Sequence, residues 1–271
     1  MTRANSATAE AFRALHAAGL LILPNAWDAG SARLVESLGA KAVATSSAAV
    51  AWAHGYPDGD FLPLARLVAT TAAIARVLRV PLSVDIEGGY SDDPAAVGEV
   101  VARVIDAGAA GINPEDGAGD PALLCAKIAS ARAAAARAGV ALFINARTDV
   151  YLRGMGPAEA RVEATLARAA RYQGASADGI FVPGVVTAND IAALVAGLGL
   201  PLNVMARPQL PPAAQLEALG VRRLSAGAAM AEVVYGKIAA LAGAFLRDGV
   251  SAAVLEGAMD YGAINALMPR D

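Results

Sequence analysis

The sequence predicts an α/β chain folded as a (β/α)8 TIM barrel, and three observations carry that reading. Short apolar runs recur eight times, each followed by polar or glycine residues and then a helical stretch. The runs are continuous rather than alternating, as parallel strands covered on both faces require. No G-x-G-x-x-G follows the first run, which argues against an open doubly wound sheet. The chain has 271 residues and is 56% hydrophobic, enough for one barrel domain spanning residues 1–271.

The elements follow in order. Residues 1–18 read as an N-terminal helix, with His16 on it as a surface or packing residue. The strands are expected within 20–28 (LLILPNAWD), 41–47 (KAVATSS), 81–87 (PLSVDIE) and 109–116 (AAGINPED). Four more are expected within 140–149 (VALFINARTD), 177–184 (ADGIFVPG), 201–206 (PLNVMA) and 221–227 (VRRLSAG). Asp93-Pro94 and Asp120-Pro121 start helices as N-cap and N1, and Gly39 and Gly139 stop them. Residues 227–271 exceed what a barrel needs: one long helix (AAMAEVVYGKIAALAGAFLRDG) and a second (SAAVLEGAMDYGAINALM). Their apolar character suits a subunit interface, or else a cap on the barrel.

Composition excludes several functions. The net charge of −3 provides no basic footprint for nucleic acid. No stretch reads as a membrane span, and the N-terminus lacks the order of a signal peptide, so a cytoplasmic protein is expected. A single cysteine, Cys125, makes neither an internal disulfide nor a thiolate metal site. The three lysines, Lys41, Lys127 and Lys237, lie away from strand C-terminal ends, which disfavours Schiff-base chemistry.

In such a barrel the active site lies at the C-terminal ends of the strands. Those ends offer Asn25, Trp27 and Asp28; Thr45, Ser46 and Ser47; Asp85 and Glu87; Asn113, Glu115 and Asp116; Asn145, Arg147 and Asp149. The segment after the second strand, AWAHGYPDGD, adds His54, Asp58 and Asp60, while Trp27 and Trp52 read as core residues by default, with a pocket wall as the alternative. Asp85 and Glu87 are two apart on a strand and so point to one face. Oxygen-rich ligands with few histidines select a hard cation, Mg2+, with Mn2+ able to substitute. Asp85 is the direct ligand in this reading, and Glu87 and Glu115 hold its waters. Arg147 suits bidentate binding of a carboxylate or phosphoryl group. The competing reading is a strand-end salt-bridge network with no catalytic role.

The segments LPNAWDAGSARLVESLGAKAVATSS, VDIEGGY, INPEDG, NARTDVYL and PLNVMA, in this order, resemble the isocitrate lyase/phosphoenolpyruvate mutase superfamily over about Leu20 to Met230. The resemblance implies a Mg2+-dependent barrel that makes or breaks C–C or P–C bonds beside a 2-oxoacid. It also implies exchange of the last barrel helix between subunits, in a dimer or dimer of dimers (a homotetramer). By motif, Asp85, Glu87, Glu115 and Asp58 match the acidic metal and metal-water positions. Thr45, Ser46 and Ser47 match the carboxylate cradle, and Arg147 the substrate arginine. Trp27, Asn113 and Asn203 join them as substrate-binding candidates, and His54 and Tyr90 as proton donors. One departure is plain: in EDGAGDPALLCAK, Leu123 stands where the lyases carry their lid cysteine, and no histidine follows. The Lys/Asn lid of the mutases is absent too. A short lid fits substrates needing little acid–base help, by decarboxylation or retro-aldol cleavage. The alternatives are a P–C bond enzyme and a 2-oxoacid-binding protein without catalysis.

Overall fold

In the computed structural model, which describes residues 2–268, nine parallel strand segments form one barrel ringed by helices. Helix α1 (Thr2–Ala14) precedes β1 (Leu21–Leu23) and β2 (Asn25–Ala26). These two are halves of the first predicted strand, parted at Pro24, whose ring removes a ladder donor. Pro24 still accepts from Ala44 N at 3.1 Å, so pairing continues across the break. Then come α2 (Ala29–Ser37), β3 (Val43–Thr45), α3 (Ser47–Ala53), α4 (Leu64–Val77), β4 (Leu82–Asp85) and α5 (Pro94–Asp106). Next are β5 (Gly111–Asn113), α6 (Pro121–Ala138), β6 (Phe143–Arg147), a short 3-10 turn (Ala158–Ala160), α7 (Arg161–Gly174) and β7 (Gly179–Phe181). The chain finishes with α8 (Ala188–Gly197), β8 (Leu202–Met205), α9 (Ala213–Ala218), β9 (Arg223–Ser225), α10 (Ala229–Asp248), α11 (Ser251–Leu255) and α12 (Tyr261–Leu267). Barrel closure is direct: β1 pairs with β9 in the register Leu21↔Arg223, and β2 pairs with β3.

Three expectations change. The segment after the second strand, read as a loop, begins with a helical turn: α3 reaches Ala53 under the Ser46 cap. The second tail helix is broken in two between Leu255 and Tyr261, around Gly257 at φ +74. And α10 does contain an 18-residue window of mean hydropathy 1.5, long and apolar enough by length and composition to cross a membrane. A search for uncharged runs passes over it because Glu232 and Lys237 interrupt the sequence. Only 6% of that window is buried, and it exposes Val233, Val234, Tyr235, Ile238 and Phe245.

The N-terminal end of the barrel is plugged. Phe12 of α1 is fully buried and sits edge-on to Phe143 at 5.6 Å. A Cβ at Gly111 would lie 2.6 Å from the Phe12 ring, so only glycine lets this plug seat. His16 is a packing residue: it stacks on Phe143 at 4.0 Å, and burial drives its pKa down to about 3. Above the plug the interior is polar. Asn145 donates to Asn113 (3.1 Å) and to Asn203 (3.0 Å), and Asn203 donates to Ser225 (3.1 Å). With its lower end sealed, the barrel opens to ligands at the C-terminal ends of its strands.

Candidate active site

The strand ends build a cavity of about 270 Å3 whose wall includes Asn25, Ser46, Ser47, Trp52, Asp58, Asp85, Asn113 and Arg147. A volume just below the usual range for drug-sized ligands suits a small polar molecule. Asp85, at the end of β4, is buried. Its Oδ2 accepts from Ser47 Oγ at 3.3 Å, its Oδ1 from Glu87 N at 3.1 Å, and its own N donates to Thr45 Oγ1 at 2.8 Å. Thr45 therefore fixes the Asp85 backbone, and Ser46 caps α3, accepting from Ala49 N at 3.5 Å.

Glu87 departs from the expected strand alternation. The strand ends at Asp85, and Glu87 adopts φ +52, a left-handed conformation that costs energy for a residue with a Cβ. That turns its carboxylate away from the Asp85 cavity into an adjoining one of about 260 Å3. There it accepts from Gly59 N (2.8 Å), Asp60 N and Tyr90 OH (3.2 Å), clamping the loop after α3. Glu115 lines the same second cavity and meets Arg147 Nη1 at 2.6 Å. The four predicted acidic positions are thus split, Asp85 and Asp58 in one cavity and Glu87 and Glu115 in its neighbour.

Burial, then the neighbouring carboxylates Asp58, Asp60 and Asp85, push Glu87 up to about 7 against the pull of its hydrogen bond from Asp60. Burial also pushes Glu115 up to about 8, reinforced by Asp85 and Asp149. Arg147 pulls Glu115 the other way and does not win, because its guanidinium is shared. Nε donates to Asp149 Oδ1 at 2.7 Å and Nη2 to Asp149 Oδ2 at 3.1 Å. Of its five N–H groups, two remain for a ligand. Asp149 holds Arg147, and Asp116 is spent on Arg168 (2.7 Å), Tyr172 (2.5 Å) and Asp149 N (2.9 Å).

Among the described residues, no cluster of three or more Asp, Glu, His or Cys side chains gathers on one point. Mg2+ takes one or two direct carboxylates and keeps several waters, so it does not require such a cluster. Asp85 is the carboxylate in place for such an ion, with Asp58 on the same wall.

Other predicted residues stand apart. His54 Nε2 is hydrogen-bonded to Thr70 Oγ1 at 2.8 Å and lines neither cavity. Tyr90 lies behind Glu87, not on the Asp85 cavity. Trp27 faces an apolar groove between α2 and α10 with Leu34, Val35, Met230 and Val233. Trp52 walls the Asp85 cavity instead. Asn203 is buried below the floor with its amide fully engaged. Leu123, at the family's lid-cysteine position, lies in α6 and lines the second cavity; Lys127 bonds Gly88 O at 2.7 Å. The sequence reading missed Phe181, Met205, Ser225, Arg207 and Glu232 on the Asp85 cavity wall. The first three end β7, β8 and β9, so the strand-end rule applied to those strands would have found them.

The profile of the phosphoenolpyruvate phosphomutase family matches residues 12–246. The chain is 32% identical over 237 residues to an oxaloacetate decarboxylase of Pseudomonas fluorescens, covering 82% of this chain and 79% of that one. It is 45% identical to a Burkholderia cenocepacia structure whose phosphonomutase assignment is provisional, with TM-score 0.83 over 87% of this chain and 98% of the other. A phosphonopyruvate hydrolase solved with oxalate and Mg2+ shares 26% identity and TM-score 0.84, over 96% and 94% of the two chains.

Proposed function

The chain belongs to the phosphoenolpyruvate phosphomutase family, and from that premise we propose that it is a Mg2+-dependent lyase that cleaves a C–C bond beside the carbonyl of a 2-oxoacid, by retro-aldol or decarboxylation chemistry. The observation that carries the reading is the shared wall of Asp85, Ser46, Ser47 and Arg147. A carboxylate for the metal, hydroxyls at a helix start and a cation for the substrate anion then meet in one small cavity. Asp85 would hold the Mg2+ with Asp58 on the same wall, Glu87 and Glu115 would reach it only through water from the adjoining cavity, and the ion would supply positive charge against the negative charge that develops on the keto oxygen of a 2-oxoacid.

The chain's own groups do the rest. The α3 start, Ser46 and Ser47, orients the substrate carboxylate. The two free N–H groups of Arg147 fix the substrate's second oxygen pair. Trp52, Leu152 and Phe181 give that part of the cavity an apolar wall. Among the described residues no His, Cys, Lys or Tyr lines it, so bond cleavage relies on charge stabilisation more than on a strong base. His54 is held by Thr70 and Tyr90 by Glu87. Neither reaches the cavity, and the proton that quenches the enolate comes from water in this reading.

A P–C bond enzyme is the second reading, favoured by the likeness to the Burkholderia structure and to phosphonopyruvate hydrolase. The test is pyruvate or glyoxylate release over a panel of 2-oxoacids, malates, 2-hydroxy tricarboxylates and phosphonopyruvate, with Mg2+ and with EDTA. Mg2+-dependent release from a C–C substrate, lost in Asp85→Ala, is the expected result. Turnover of phosphonopyruvate alone supports the P–C reading. Silence throughout, with oxalate still raising the melting temperature only when Mg2+ is present, points to binding without catalysis.

A further inference from the structure

The far side of the Asp85 cavity carries a cation that the proposed chemistry does not use. Arg207 lies two residues beyond the end of β8 and lines the cavity together with Phe181, Met205 and Glu232. Its guanidinium has no carboxylate within 4.0 Å among the described residues, although Glu232 is on the same wall. By contrast, the other cavity arginine, Arg147, is bound by two carboxylates. The Arg207 backbone is well held. Ala206 N donates to Ser225 O at 2.8 Å, Leu210 N donates to Arg207 O at 3.0 Å, and Pro208, Pro211 and Pro212 stiffen the turn. Behind it, Gly227 at φ +62 lets the loop close on Met205, where a Cβ would lie 2.6 Å from the sulfur. A proline-stiffened turn therefore places this exposed guanidinium, without a carboxylate partner among the described residues, at the edge of the cavity, with Phe181 and Met205 on the same wall.

We propose that Arg207 is a second anion subsite, and that the substrate is a 2-oxoacid or its aldol adduct bearing a further carboxylate at the end remote from Asp85. This inference rests on the 2-oxoacid reading above. It also limits the chemistry. A cation stabilises a carboxylate in the ground state and opposes its loss as neutral CO2. The anion held by Arg207 is thus one that stays on a product, not the group expelled. Glu232 repels that anion and narrows the subsite to groups that reach the guanidinium directly.

The experiment uses the full chain with Mg2+ and measures binding by calorimetry for four probes: oxalate, 2-oxobutyrate, and the longer dicarboxylates 2-oxoglutarate and 2-oxoadipate. The expected result is that at least one dicarboxylate binds tenfold or more tighter than 2-oxobutyrate. Arg207→Gln erases that advantage and leaves oxalate binding within twofold. Glu232→Gln increases the advantage. The proposal is overturned if the dicarboxylates show no advantage, or if Arg207→Gln weakens oxalate and dicarboxylate alike. Both of those outcomes leave the 2-oxoacid reading standing. If the wild-type protein binds neither oxalate nor any 2-oxoacid with Mg2+ present, that reading fails and this one with it.

Discussion

At the scale of single residues, Asp85, Glu87 and Glu115 show how much a side chain's neighbours decide. All three are acidic residues at adjacent strand ends, yet one lines the ligand cavity, one clamps a loop and one shares an arginine. Burial raises Glu87 to about 7 and Glu115 to about 8, so in the metal-free protein both hold protons that the unfolded chain has already lost. The unfolded values lie near 4.5, and the folded state binds the extra protons between there and 7–8. Stability of the EDTA-treated protein therefore falls as pH rises through that window. A cation bound beside these carboxylates favours their ionised forms, so Mg2+ affinity rises over the same range, by about tenfold per pH unit for each proton displaced. Calorimetric titrations and melting curves from pH 5.5 to 8.5 check both slopes. A Mg2+ affinity that stays flat from pH 6 to 8 would show that neither carboxylate communicates with the metal.

Among the elements, α10 is the one whose sequence and surroundings disagree. It has the apolar content of a packed helix but leaves Val233, Val234, Ile238 and Phe245 in contact with solvent in the single chain. Trp52 of α3 touches it edge-on through Tyr235 at 6.2 Å, and α12 folds back so that Arg33 of α2 donates to Leu267 O at 2.8 Å. An exposed apolar helix of twenty residues is a liability unless another surface covers it. We propose that a second copy of the chain does so, consistent with the helix exchange that the family resemblance implies. Ile238→Glu combined with Val234→Glu is expected to convert the assembly to monomers in sedimentation velocity without loss of secondary structure. A wild-type protein that sediments as a monomer at micromolar concentration would remove this role.

Across the whole molecule, the two ends of the barrel divide the work. The N-terminal end is an apolar plug built from Phe12, His16, Phe143 and the bare Cα of Gly111; the C-terminal end carries the charge. Stability and the proposed function are therefore expected to be separable. Phe12→Ala empties a fully buried ring site and is expected to cost about 3–5 kcal/mol in denaturant unfolding. The KM for substrate is expected to be unchanged at temperatures where the variant is folded. A loss of substrate affinity parallel to the loss of stability would mean that the plug supports the cavity and is not merely a seal.

The sequence by itself determined the barrel and its eight strand positions, and it pointed to the strand ends as the candidate site. Apolar runs with helix starts and stops repeat through the chain, and parallel strands of this kind put their chemistry at one end. It also made Asp85, Ser46, Ser47, Asn113 and Arg147 legible, because each lies where a strand ends or a helix begins. Only the tertiary structure decided which of these groups share a cavity. Alternation along β4 puts Asp85 and Glu87 on one face, but a left-handed turn at Glu87 separates them. His54, Tyr90, Trp27 and Asn203 sit at plausible positions in the chain and are held elsewhere by Thr70, Glu87, α10 and the interior amides. Arg207 and Glu232 were invisible for the converse reason. Nothing local marks a residue as facing a cavity when its walls come from strands more than a hundred residues apart.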